Sequence, residues 1–89
     1  MEASTLSEIQ QIWNEELRLA SCDPDQDFFA LGGTSLLAMR IATRAQEILN
    51  IEVRPMIIFE FPTFAKFTTH LAELMQNSSQ TGALSEGLI

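Results

Sequence analysis

Leu31-Gly32-Gly33-Thr34-Ser35-Leu36-Leu37 sets a serine just after a double glycine, at the start of a run whose apolar residues recur with helical spacing. Glycines let the backbone turn tightly and lie close to another molecule. A hydroxyl on the first turn of a helix sits among N–H groups that have no intrahelical partner. A phosphate ester on Ser35 would therefore meet a favourable dipole. The same string also suits a plain helix start in which Thr34 or Ser35 caps the first turn and does nothing more. Local chemistry leaves both readings open.

Other chemistries are excluded by what surrounds this serine. A serine hydrolase needs a histidine oriented by an acid, often with a Gly-x-Ser-x-Gly elbow. Here Leu37 stands where the second glycine of that elbow would be, and the lone histidine, His70, falls near the edge of a distant apolar stripe. One histidine and one cysteine, Cys22, cannot build a zinc site, and no metal site is expected. Asp23-x-Asp25-x-Asp27 has the opening spacing of a calcium loop, but Phe28 and Thr34 occupy the places of its glycine and closing glutamate. Gly32-Gly33-Thr34-Ser35 also lacks the lysine of a nucleotide-binding loop. The chain reads as a non-enzyme.

The elements that must hold Ser35 follow from periodicity. Leu6, Ile9, Trp13 and Leu17 recur every three or four residues, which predicts an amphipathic helix over about 6–19, capped by Ser4 or Thr5. From Ala20 to Thr34, Pro24, three aspartates and two glycines predict a long loop, with Phe28, Phe29 and Leu31 pinning it to the core. Ser35 to Leu49 has no breaker and reads as a helix stopped by Asn50. Its core face would hold Leu37, Ala38, Ile41, Ala42, Ala45, Ile48 and Leu49. Leu36, Met39 and Arg40 fall on the opposite side. Two exposed apolar residues beside the serine suit a partner surface, and equally suit the scattered apolar residues of any protein surface.

Ile51-Glu52-Val53 is a short connector, Pro55 opens a brief helix through about Glu60, and Phe61-Pro62-Thr63 interrupts it. Thr63 then caps a last helix with Phe64, Phe67, Leu71, Leu74 and Met75 inward and Lys66, Thr69 and Glu73 outward. The expected fold is all-α, a four-helix bundle of three main helices and one short third helix with a long first loop. Trp13, Phe28, Phe29, Phe59, Phe64 and Phe67 would supply the bulk of its core. Residues 1–76 form the domain, and the polar run after Gln76 makes 77–89 a flexible tail or linker.

With 89 residues there is room for one small core and no separate substrate domain. The net charge of −7 opposes binding to nucleic acid or anionic membranes, and no stretch has the apolar length of a membrane span. The negative excess lies early. Glu2, Glu8, Glu15, Glu16, Asp23, Asp25 and Asp27 face only Arg18, whereas Arg40, Arg44, Arg54 and Lys66 nearly balance the later glutamates. A single cysteine fits a reducing, cytoplasmic setting.

Asp27-Phe28-Phe29-Ala30-Leu31-Gly32-Gly33-Thr34-Ser35-Leu36, followed by a helix and then Phe59-Glu60-x-Pro62-Thr63, resembles the peptidyl carrier (thiolation) domains of nonribosomal peptide synthetases, over roughly residues 6 to 75. The resemblance implies a four-helix bundle carrying a covalent 4′-phosphopantetheine arm on Ser35, flanked by Gly33 and Thr34. It implies a monomeric carrier that holds aminoacyl or peptidyl groups as thioesters on the arm. A phosphopantetheinyl transferase would load the arm, and adenylation, condensation and thioesterase or other release enzymes would act on the cargo. Partner-binding residues by the same resemblance are Leu36, Met39, Arg40, Met56 and Ile57. Met56 and Phe61 depart from the polar or basic residues frequent in the family; Met56 leans toward docking, while Phe61 suits docking or local packing. Thr34-Ser35-Leu36 with Arg40 and Arg44 favours the peptidyl branch over fatty-acid or polyketide acyl carriers. An unmodified helical interaction module is the remaining alternative. Met1 close before the first helix and a short tail fit a free-standing carrier as well as a piece of a synthetase.

Overall fold

In a computed structural model the chain forms four helices, α1 (Ala3–Leu17), α2 (Ser35–Leu49), α3 (Met56–Glu60) and α4 (Phe64–Leu88). Residues 2–76 are described in full, and α4 continues as backbone through Leu88; the tail or linker expected over 77–89 lies outside the described residues. No strand occurs among the described residues beyond an isolated bridge between Asp27 and Thr63.

Trp13 stands at the centre of the core. Its ring lies 5.5 Å from Phe28, 5.6 Å from Phe64 and 5.5 Å from Phe67, so α1, the long loop and α4 meet on one indole. Ile9, Ile12 and Leu17 extend that contact along α1, and Ala38, Ile41, Ala42 and Ala45 bring α2 against it. The alanines are the reason α1 and α2 can approach closely, since small side chains shorten the distance between packed helices. Ile58 closes the bundle from α3.

Helix boundaries follow capping chemistry at α2 and α4 but not at α1. α1 begins at Ala3 with Glu2 as N-cap, not at Ser4 or Thr5, and the Leu6 N–H donates to the Glu2 carbonyl at 2.9 Å. It ends at Leu17, two residues before the expected stop, because Arg18 turns left-handed at φ 58. α2 keeps the expected bounds, and Asn50 ends it at φ 56, a conformation asparagine tolerates better than most residues. Thr63 caps α4 by accepting from the Lys66 N–H at 3.2 Å.

The core differs from expectation at its edges. Phe29 and Phe59 are exposed, at 48% and 39%, and stack on one another instead of filling the interior. Ile48 and Leu6 also lie at the surface, while Ile12, outside the expected stripe, is buried.

Candidate functional site

Asp27 opens the turn that delivers Ser35. Its carboxylate accepts from the N–H groups of Phe29 at 2.8 Å and Ala30 at 3.2 Å, as an N-cap does. A single turn follows and closes as a Schellman motif: the Gly33 N–H donates to the Phe28 carbonyl at 3.0 Å and the Gly32 N–H to the Phe29 carbonyl at 3.1 Å. That closure needs a positive φ, and Gly32 supplies it at 91°. Gly33 is small for another reason. A Cβ there would overlap the edge of the Phe28 ring, which is itself fully buried against Trp13. The two glycines are thus required by backbone conformation and by close approach, respectively.

Thr34 comes next in extended conformation, and its hydroxyl accepts from the Leu37 N–H at 3.3 Å. The cap is therefore Thr34, and the Ser35 hydroxyl is left over. Ser35 is exposed, and among the described residues no side chain hydrogen-bonds to it. The backbone donors tell the same story. Phe28 donates to Pro62, Phe29 and Ala30 to Asp27, and Leu31, Gly32 and Gly33 to carbonyls of the turn. The run of N–H groups without a protein acceptor begins at Thr34 and includes Ser35 and Leu36. An anionic ester on Ser35 fits this end of α2, where the helix dipole is positive and donors are free.

Around the serine the expected partner-facing residues divide into two groups. Leu36, Met39 and Met56 are exposed at 62%, 54% and 64%. Ile57 is half-buried and packs on the core. Phe61 stacks on His70 with ring centroids 4.3 Å apart, so its ring is engaged locally. Arg40 lies in an ion-pair network that the sequence did not reveal. Its Nε lies 2.8 Å from Glu16 Oε1 in an ion pair, while Arg44 donates to Glu16 Oε2 at 3.1 Å and to Glu15 Oε1 at 2.8 Å, tying α2 to α1. The Arg44 hydrogen bond, reinforced by Gln11, holds the Glu15 carboxyl below the usual carboxylate range.

Residues 7–71 match the family described as phosphopantetheine attachment site. The chain belongs to this family. It is a non-catalytic carrier domain of the kind found in nonribosomal peptide and polyketide synthases, and its cofactor is 4′-phosphopantetheine. Surfactin synthase subunit 3 of Bacillus subtilis is 43% identical over 63 residues, 71% of this chain but 5% of that protein. Polyketide synthase PksN of the same organism is 32% identical over 79 residues, 89% of this chain and 1% of that protein. The chain therefore spans only a small part of these relatives. Among solved structures, BlmI, a type-II acyl carrier protein from Streptomyces verticillus involved in bleomycin biosynthesis, superposes with a TM-score of 0.75 at 33% identity. That superposition covers 81% of this chain and 87% of BlmI. The expected four-helix, acyl-carrier-like architecture is thus the one observed. No helix among the described residues is long and apolar enough to cross a membrane.

Proposed function

We propose that Ser35 is the attachment point of the 4′-phosphopantetheine arm and that the chain carries aminoacyl or peptidyl groups in nonribosomal peptide synthesis, as a cytoplasmic monomer. The observation that carries this reading is the Ser35 hydroxyl, unpaired among the described residues, at the positive end of α2, where the N–H groups of Thr34, Ser35 and Leu36 also lack acceptors and the capping role is taken by Thr34. When attached, the arm supplies a terminal thiol able to hold an acyl group as a thioester. The chain's own residues do the rest. Thr34 starts the helix, Gly32 and Gly33 hold the turn, and the Ser35 and Leu36 N–H groups offer donors to a phosphate. No residue here activates the hydroxyl, so the base that takes its proton belongs to a separate transferase.

Leu36, Met39 and Arg40 are exposed on α2 with Ser35, Met56 is exposed on α3, and these residues form the surface on which that transferase and the adenylation, condensation and release enzymes dock. Ile57 contributes from beneath. The peptidyl assignment is supported by the similarity to surfactin synthase subunit 3 and by the basic residues of α2.

Incubation with coenzyme A and a broad-specificity phosphopantetheinyl transferase tests the attachment. The wild-type chain gains the mass of one phosphopantetheine group and Ser35→Ala gains none. A gain that survives Ser35→Ala displaces the site, and no gain on wild type refutes the reading. The similarity to PksN keeps a polyketide carrier as the second reading. Amino acid, ATP and an adenylation enzyme load the holo form only if the peptidyl reading is right.

A further inference from the structure

Met39 lies four residues after Ser35 on α2, and residues at that spacing sit side by side on one helix face. It is 54% exposed and lines an open groove of about 330 Å³ with Leu36 and Thr43. Met56, the first residue of α3, is also exposed, whereas Met75 is half-buried and packs on the core. Two thioethers are therefore open to small solutes and a third is shielded. Apolar area alone does not call for sulfur at position 39, since leucine presents a similar volume. What methionine adds is a sulfur lone pair that an oxidant can reach.

We propose that Met39 is a modification site: a peroxide converts its thioether to the sulfoxide, and the sulfoxide suppresses arm attachment one helical turn away. The inference rests on Ser35 being the attachment point. In the step itself the sulfur lone pair attacks one peroxide oxygen, and the S–O bond forms as the O–O bond breaks. The transferred oxygen gives up its proton, the departing oxygen takes one up, and with hydrogen peroxide the second product is water. Sulfur loses the two electrons that the peroxide gains, so no other redox partner is needed. Position makes this change consequential. Any enzyme that brings a phosphorus to the Ser35 hydroxyl must cover the surface within a turn of it, and Met39 belongs to that surface. A thioether loses little when its water is removed, but a sulfoxide carries a strong acceptor oxygen whose desolvation is costly. Leu36 beside it offers no side-chain donor in compensation. Met56 is as open to the oxidant but stands on another helix, so it serves as the comparison.

The test treats the chain with dilute hydrogen peroxide, locates sulfoxides by peptide mass spectrometry and returns oxidised Cys22 to the thiol with dithiothreitol. Transferase kcat/KM with coenzyme A is then measured, with thermal melting to verify the fold. Met39 and Met56 should each gain one oxygen before Met75 does. Wild-type kcat/KM should fall by about tenfold, carried by KM, and recover after treatment with methionine sulfoxide reductases specific for the two epimers. Met39→Leu should work within about twofold of wild type before treatment and lose nothing further on treatment. Met56→Leu should still lose most of its rate. Full transferase activity with Met39 oxidised overturns the inference and leaves Ser35 as the attachment site. An equal loss in Met39→Leu, a loss abolished by Met56→Leu, or oxidation of Met75 ahead of Met39 overturns it as well. If the untreated wild-type chain gains no mass, the attachment reading falls and this inference falls with it.

Discussion

Gly33→Ala tests whether the position of Ser35 depends on the buried aromatic cluster. The added methyl would clash with the edge of the Phe28 ring, and that ring is closely packed. It is fully buried, tilted at 60° against Trp13 on one side and edge-on to Phe29 at 5.3 Å on the other. Its backbone is fixed as well, by donation to Pro62 at 2.6 Å and by acceptance from Leu31 and Gly33. Relief must come from opening the core or from displacing the segment between Gly33 and Ser35. Forced insertion of one methyl into a packed core costs about 1–3 kcal/mol. For a domain of this size that corresponds to a fall in melting temperature of roughly 4–24 °C. Transferase kcat/KM should also fall by about tenfold or more, since small misplacements of a reacting atom are costly. Gly32→Ala is the control with a different cause: open space surrounds its Cβ, but φ of 91° costs about 1–2 kcal/mol. Phe28→Leu removes the outer ring atoms Cε2 and Cζ that the new methyl strikes, so Phe28→Leu with Gly33→Ala should be more stable than the two single losses predict, by about 1 kcal/mol or more. Thermal melts of the four proteins, with transferase kinetics, decide it. A Gly33→Ala protein that melts within about 2 °C of wild type, against that lower bound, refutes the reasoning, as does strict additivity.

Three further outcomes follow from the surface. Arg44→Gln should raise the titration midpoint of Glu15 toward the ordinary carboxylate value, read by carboxyl-carbon NMR; an unchanged or lower midpoint contradicts the assigned hydrogen bond. Because the folded-state value is depressed, the Glu15 contribution to stability is present above the unfolded value and fades as pH drops through the folded one, and Arg44→Gln should blunt that acid sensitivity. The Cys22 thiol is pushed up, first by burial and second by the Asp23 carboxylate, so alkylation at neutral pH should be slower than for a free cysteine and should quicken partly in Asp23→Asn. Alkylation at the free-thiol rate contradicts this. Phe29 and Phe59 stack at 5.6 Å and 12°, so a double-alanine cycle should return a coupling of about 0.5–1.5 kcal/mol, and a coupling near zero would show that the stack does not tie the loop to α3.

The parts of the fold that were legible in the sequence are those fixed by local chemistry. Thr34 and Asn50 carry the signals that begin and end α2, and Thr63 begins α4, so these boundaries could be read one residue at a time. The left-handed turn at Arg18 has no such signal, because neither glycine nor asparagine stands there, and periodicity alone carries α1 two residues past its end. Phe29 and Phe59 were assigned to the core on size alone. Burial depends on which elements meet, and these rings found one another at the surface. The same limit hid the Glu16 contacts. Helical spacing marks Arg40 and Arg44 as outward on their own helix, yet only the apposition of α1 and α2 shows that Glu16 lies between them.

The turn before Ser35 shows how the proposed attachment point is both rigid and available. Phe28 is locked by aromatic neighbours and by hydrogen bonds to Pro62, Leu31 and Gly33, and the next five backbone N–H groups all find acceptors within the turn. Pairing ceases at Thr34, where the chain enters α2 and the geometry of a helix start forbids it. The rigid part therefore ends where the unpaired donors begin, and the Thr34 hydroxyl, by serving as cap, relieves Ser35 of that duty. Exchanging these roles would be harmful: a serine that capped its own helix would hold its oxygen against the backbone, away from an incoming phosphorus. Fixing the backbone while leaving one hydroxyl unengaged suits a residue that another enzyme must modify, and it explains why no base is built beside it. On the proposed reading the thiol would sit at the end of a long arm, beyond the reach of groups close to Ser35.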